Sequence, residues 1–144
     1  MRTLFLILLL LSALAHSPIY ASNDEHVLGD AVRDVVPNME VLADGIIGGG
    51  APDLKALETI QENGFKTVID LRTPGEGIAE EEQKVQELGM TYINIPMSSR
   101  EASDEQVAKL ASVLTEDAYP VLMHCRSGGR VDALWSEYQK TSRD

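Results

Sequence analysis

Short runs of β-branched and aliphatic residues alternate along this chain with stretches of helical periodicity, and that alternation leaves few folds open. The runs are Thr67-Val68-Ile69-Asp70-Leu71, Tyr92-Ile93-Asn94-Ile95 and Pro120-Val121-Leu122-Met123-His124. Val107, Leu110, Ala111 and Leu114 fall at i, i+3, i+4 and i+7, and Val131, Leu134, Trp135 and Tyr138 repeat that spacing. Strands separated by helices of this length need crossover connections, which parallel neighbours require and a hairpin does not. The expected class is therefore α/β: three layers, α/β/α, around a mostly parallel sheet of four to five strands.

Local punctuation sets the boundaries. Residues 39–50 read as a short hairpin turning at Asp44-Gly45, between Val41-Leu42 and Ile46-Ile47. Pro52 suits the first turn of a helix in which Leu54, Leu57 and Ile60 share a face and which Gly64 ends. The Pro74-Gly75-Glu76-Gly77 loop leads to an acidic helix near 79–88. Its Glu80-Glu81-Glu82 is expected to be a solvated N-terminus, where carboxylates are favoured. Pro96 stops the strand before it, and Ser103-Asp104-Glu105-Gln106 forms a capping box for the next helix. Gly48-Gly49-Gly50 lacks both the Gly-Lys-Ser/Thr ending of a P-loop and the third spaced glycine of a dinucleotide fingerprint. Close backbone approach at a sheet edge is its expected role. With no repeat, low-complexity run or linker in view, residues 22–144 read as a single domain.

The opening MRTLFLILLLLSALAHSPIYAS has a positive Arg2 and an apolar core from Leu4 to Ala15. That core is too short for a membrane-spanning helix, which takes about 20 residues. Residues 1–21 are expected to be a secretory signal cut after Ile19-Tyr20-Ala21, an uncleaved anchor being the rival reading. A periplasmic or secreted protein follows, with no membrane span after cleavage. The chain carries 12 basic and 23 acidic residues, net −11. That balance speaks against a nucleic-acid partner, because phosphate-backbone binding runs on Lys and Arg. A lone Cys125 excludes an internal disulfide, and His16, His26 and His124 lack metal-ligand spacing. Neither a metal nor a cofactor is expected, and the sequence carries no mark of oligomeric state.

The chemistry concentrates in PVLMHCRSGGRVDALW. Cys125 ends a buried strand, at the side of an open α/β sheet where ligands bind. Arg126-Ser127-Gly128-Gly129-Arg130 then turns straight into a helix. A Gly-Gly bend lets backbone N–H groups point inward as an anion nest, and the helix N-terminus adds partial positive charge. Both favour a thiolate. Arg130 can fork two N–H bonds onto a tetrahedral oxyanion above the sulfur. Thiolate attack on phosphorus, a cysteinyl-phosphate and its hydrolysis are the expected steps. The bland alternative is a buried cysteine acting as a small hydrophobe.

The loop HCRSGGRVDALW resembles the signature of cysteine-dependent tyrosine/dual-specificity phosphatases, and in particular the small bacterial phosphatase-like subgroup similar to beta-lactamase hydrolase-like phosphatases. IIGGGAP, TVIDLR and YINIPM resemble the segments such proteins carry after the first hairpin, in the next strand and before the general-acid loop. The resemblance covers about residues 37–140 and implies a phosphatase-like fold and a phosphorylated substrate, protein or small molecule. It implies Cys125 as nucleophile and Arg130 as phosphate-binding arginine, with Arg126, Ser127, Gly128 and Gly129 binding substrate oxygens through their amides.

Three departures shape the expectation. Four residues, not the five of the main phosphatase signature, separate Cys125 from Arg130, as they do in the small bacterial phosphatase-like subgroup and in rhodaneses; the alternative functions are a sulfurtransferase with a Cys125 persulfide or a non-catalytic phosphoanion-binding module. Val131 stands where relatives carry Ser or Thr. The expected general-acid aspartate is replaced by Met97-Ser98-Ser99-Arg100-Glu101, which leaves Glu101 as the candidate acid. The chain ends 14 residues after Arg130, so either a minimal or a shortened version is expected.

Overall fold

The computed structural model describes residues 22–143, and the secretory-signal reading of residues 1–21 lies outside the described residues. Five strands form one sheet: β1 (Glu40–Ala43), β2 (Ile46–Gly50), β3 (Thr67–Asp70), β4 (Thr91–Asn94) and β5 (Val121–Cys125), in the order β1-β2-β5-β3-β4. β1 and β2 pair antiparallel about Asp44-Gly45, where Gly45 takes the left-handed φ of 71° that the turn needs. The remaining pairings are parallel, so the sheet is mixed but mostly parallel, as the crossovers require. The last strand in sequence is the central one in space. Its register sets Cys125 beside Gly50 of β2 and His124 beside Asp70 of β3.

Among the described residues five α-helices cover the two faces: α1 (Ser22–Val32), α2 (Ala56–Glu62), α3 (Ala79–Glu87), α4 (Asp104–Val113) and α5 (Gly129–Thr141). Successive strand residues point to opposite faces. Ile46, Ile69, Val121 and Met123 pack with Val107 and Leu110 of α4 and Val131, Leu134 and Trp135 of α5. Ile47, Val68 and Leu122 pack with Val32 of α1, Leu57 and Ile60 of α2 and Val85 of α3. Each fully buried aliphatic side chain contributes about 1.5–3 kcal/mol. The layers are α/β/α, and both cores meet at β5.

Several local expectations change. α1 has no counterpart in the sequence reading: SNDEHVLGDAV is mostly polar, and Leu28 and Val32, one turn apart, face the second core. Pro52 lies ahead of α2 rather than in its first turn. Asp53 turns the chain by accepting from the Ala56 N–H at 2.7 Å, and Leu54 is left exposed. The three glycines of β2 serve close approach, but inside the sheet rather than at its edge. A Cβ on Gly49 would come within 2.6 Å of Val36 and 2.8 Å of the Pro37 carbonyl. The Ser103–Gln106 capping box forms as expected, each side chain taking the other residue's backbone N–H, at 3.2 and 2.8 Å. Among the described residues no helix is long and apolar enough to cross a membrane.

Candidate active site

Cys125 closes β5 and the chain turns at once, with Gly128 at φ 108°, a conformation open to glycine. The outward carbonyls of the turn are tied to the neighbouring segment. Ala51 N–H donates to the Arg126 carbonyl at 3.2 Å, and Asn38 Nδ2 donates to the Ser127 carbonyl at 2.9 Å. With those oxygens fixed outward, the loop's N–H groups face the sulfur. Gly128 N–H donates to Cys125 Sγ at 3.1 Å, and the backbone N–H groups of Arg130, Ser127 and Val131 add to the pull toward the thiolate form.

These contacts decide the state of the thiol. Cys125 is 1% exposed, and burial pushes its thiol up; the four loop N–H groups outweigh that and hold it below its ordinary value. The sulfur therefore sits at the floor of the loop as an acceptor for the Gly128 N–H, at the edge of the first core.

Arg130 is fixed by a residue the sequence reading did not assign. Its Nη1 and Nη2 each donate to Glu76 at 2.8 Å, and Nη1 also donates to the Met97 carbonyl at 2.7 Å. Glu76 is itself anchored, accepting from the Thr73 N–H at 2.8 Å and the Thr73 hydroxyl at 3.1 Å. The Arg130 guanidinium beside it holds the Glu76 carboxyl well below the usual carboxylate range. In return Glu76, and after it the Cys125 sulfur, keeps Arg130 charged. A guanidinium has five N–H donors. Glu76 and Met97 take three, so the Nε–H and one Nη2–H remain, the edge that forks onto a phosphate. Thr73-Pro74-Gly75-Glu76 carries the Ser/Thr-x-x-Glu capping pattern, the one trace of this arrangement in the sequence.

Behind the loop, on the opposite face of β5, lies a closed polar cluster. His124 Nε2 hydrogen-bonds Glu81, and its Nδ1 lies 3.3 Å from the Cys125 carbonyl. Arg72 donates through Nε and Nη2 to both oxygens of Asp70 and through Nη2 to Glu81. Tyr92 donates its hydroxyl to Asp70 at 2.9 Å. Glu81 is thus no solvated helix-start carboxylate: it is 4% exposed and bonded on both sides. Asp70 and Arg72 form an ion pair and leave the orientation of Arg130 to Glu76. Asp70, Glu81 and His124 present three ligand atoms within 4.8 Å of one another. Arg72 already spans both carboxylates, so a cation there would have to displace it.

The mouth above Cys125 is a cavity of about 240 Å³ lined by Ser98, Ser99, Arg100, Cys125, Arg126, Ser127, Gly129 and Arg130. The structure therefore brings Cys125, Arg130 and the expected loop residues together. It does not bring in Glu101, whose side chain is exposed and absent from the lining. The segment after Pro96 presents Ser98, Ser99 and Arg100 to the cavity, and Asp104 lies in the first turn of α4. Among the described residues no carboxylate lines the mouth.

Fold and loop together define a class, the cysteine-dependent phosphatases of the tyrosine and dual-specificity kind, in line with the sequence resemblance. The chain belongs to the family described as DSP-PTPase phosphatase fused to NAD+ kinase, whose profile matches residues 37–144. Similar solved structures include a DUF442 protein of Shewanella putrefaciens CN-32, 24% identical, covering 80% of this chain and 78% of that one with a TM-score of 0.68. The core catalytic domain of the PP-IP phosphatase SIW14 from S. cerevisiae is 21% identical, covering 76% and 70% with a TM-score of 0.64. A protein of Neisseria meningitidis Z2491 is 24% identical, covering 70% and 75% with a TM-score of 0.62. These likenesses establish the fold. No curated protein matches the chain.

Proposed function

We propose that the protein is an exported phosphatase that hydrolyses phosphate monoesters through a cysteinyl-phosphate on Cys125. The observation that supports this most is Cys125 Sγ accepting the Gly128 N–H at the floor of the loop, beside a guanidinium locked by Glu76. The thiolate attacks phosphorus; the S–P bond forms and the P–O bond to the leaving group breaks. Loop N–H groups and the free edge of Arg130 hold the oxygens on which charge is carried through the transition state. Water then attacks phosphorus, the S–P bond breaks, and dihydrogen phosphate leaves with the thiolate restored.

Among the described residues no carboxylate lines the mouth, so in this proposal the departing oxygen takes its proton from solvent. General-acid help contributes about 10²–10⁴-fold, and that factor is missing for poor leaving groups. Rates on aryl phosphates should therefore fall steeply as the phenol's pKa rises. Wild-type protein should hydrolyse p-nitrophenyl phosphate at mildly acidic pH, Cys125→Ser should not, and rapid quenching should trap a phosphoryl adduct on Cys125. Absence of both turnover and adduct across aryl phosphates would retire the proposal. Export rests on the Arg2 and Leu4–Ala15 pattern. It predicts a periplasmic or secreted chain whose N-terminus is Ser22, checked by intact mass after cell fractionation.

A further inference from the structure

Arg100 enters the mouth from the loop between β4 and α4, and nothing in the proposed chemistry uses it. Its guanidinium lies against Gly129, with Cζ and Nε 2.5 Å and Nη2 2.7 Å from the point a Cβ on Gly129 would occupy. Gly129 is not in the left-handed region, so its backbone admits alanine; the glycine leaves room for Arg100. Among the described residues Arg100 takes part in no ion pair and no side-chain hydrogen bond, whereas Arg130 and Arg126 both reach Glu76.

That placement is unfavourable on its own. A cation at the N-terminal end of α5 opposes the helix dipole, and two further arginines share the same cavity. In a chain of net −11, three of the seven arginines are gathered at one opening. A first phosphoryl group is satisfied by the loop N–H groups and the Nε–Nη2 edge of Arg130. Arg100, on the Gly129 side, is left for another anion carried by the same molecule.

We propose, resting on the phosphatase reading, that Arg100 is a specificity-determining residue that docks a second phosphoryl group beside the one held over Cys125. The substrate class is a compound with two adjacent phosphoryl groups, joined either as an anhydride or on neighbouring carbons.

Binding to Cys125→Ser, measured by calorimetry, tests the subsite without turnover. Inorganic pyrophosphate or glycerate 2,3-bisphosphate should bind at least tenfold tighter than inorganic phosphate, and whichever does so says how the two groups are joined. Adding Arg100→Gln should remove most of that ratio, and Arg100→Lys should keep part of it. Gly129→Ala, which displaces the guanidinium while keeping the N–H, should also lower it. Lys140→Gln, a charge lost near the far end of α5, should leave the ratio unchanged. An unaltered ratio in Arg100→Gln, or an equal fall in Lys140→Gln, overturns the proposal. Turnover of p-nitrophenyl phosphate by wild-type protein separates the two readings. Turnover with no Arg100-dependent ratio removes the subsite and keeps the phosphatase; the ratio without turnover keeps the subsite and removes the phosphatase.

Discussion

The reactivity of Cys125 is set by a contest between burial and four N–H groups, and the direction of its outcome can be measured. A free cysteine titrates near about 8.5. Because the loop holds Cys125 below its ordinary value, the rate of alkylation by iodoacetamide should rise with pH to a midpoint lower than that of Cys125 in the urea-unfolded chain, and inorganic phosphate should slow it. A midpoint at or above the unfolded-chain value would mean that burial wins. Glu76 makes a second residue-scale prediction. In Glu76→Gln the bidentate anchor of Arg130 is lost while the size of the side chain is kept. Misplacement of a positioned group by about 1 Å costs on the order of 10²-fold. Steady-state kinetics on p-nitrophenyl phosphate should show a loss of that order in kcat/KM, carried by kcat as well as KM. A purely structural Glu76 would lower stability and leave kcat of the folded fraction alone. Cys125 and Arg130 were legible in the sequence because their chemistry is contiguous. Glu76 was not, because only the meeting of the 3-10 turn Pro74–Glu76 with the start of α5 brings it to Arg130. Glu101 follows Pro96 closely enough in sequence to suggest a general acid, but that segment turns Ser98, Ser99 and Arg100 inward instead.

Among the elements, the strands were readable as short apolar runs, and the two C-terminal helices because a period of 3.6 runs unbroken through each. The errors fall where a polar residue hides on an apolar face. Glu81, Val85 and Leu88 stand at i, i+4 and i+7, so Glu81 shares the buried face of α3, and three consecutive glutamates masked that phase. The β5–α5 junction is the element whose geometry matters most to the site. At Gly128 a Cβ would meet nothing closer than 3.7 Å, so crowding is not the obstacle to a side chain; φ of 108° is. Gly128→Ala should therefore cost about 1–3 kcal/mol of backbone strain. The loop can relieve that strain by turning its N–H away from Sγ. Urea denaturation should show the loss, and the alkylation midpoint of Cys125 should move up with it. Destabilisation without any change in the thiol would show that this N–H contributes little to the anion site.

Across the whole molecule, the polar cluster behind the loop joins β3, α3, β4 and β5 through Asp70, Arg72, Glu81, Tyr92 and His124, and His124 links it to the backbone of Cys125. Among the described residues every buried side-chain N or O atom has a partner, so the cluster is complete as it stands. Completeness makes it vulnerable to the loss of one member, since removing one side of a buried pair costs about 3–5 kcal/mol by leaving a charge unanswered. Arg72→Met keeps most of the side-chain volume and strips the guanidinium from two carboxylates. The sign with pH follows from Asp70. Burial pushes its carboxyl up, but Arg72 and its other partners outweigh that and hold it below the ordinary value of 3.8. A depressed carboxyl stabilises the fold above its unfolded value and loses that contribution as pH falls toward the folded one. Glu76, depressed from 4.5 by Arg130, acts in the same direction. Wild-type stability should thus hold from neutral pH down to about pH 5 and decline below, first through Glu76 and then through Asp70. In Arg72→Met the Asp70 share is gone, so the gap between variant and wild type should be widest near pH 7 and narrow as both chains are acidified below about pH 4. Chemical denaturation of the two proteins at pH 7, 5 and 3.5 measures that gap. A gap that stays constant across the three would mean that Arg72 supports the fold by packing alone, and that the charges behind the loop do not hold β5 in place.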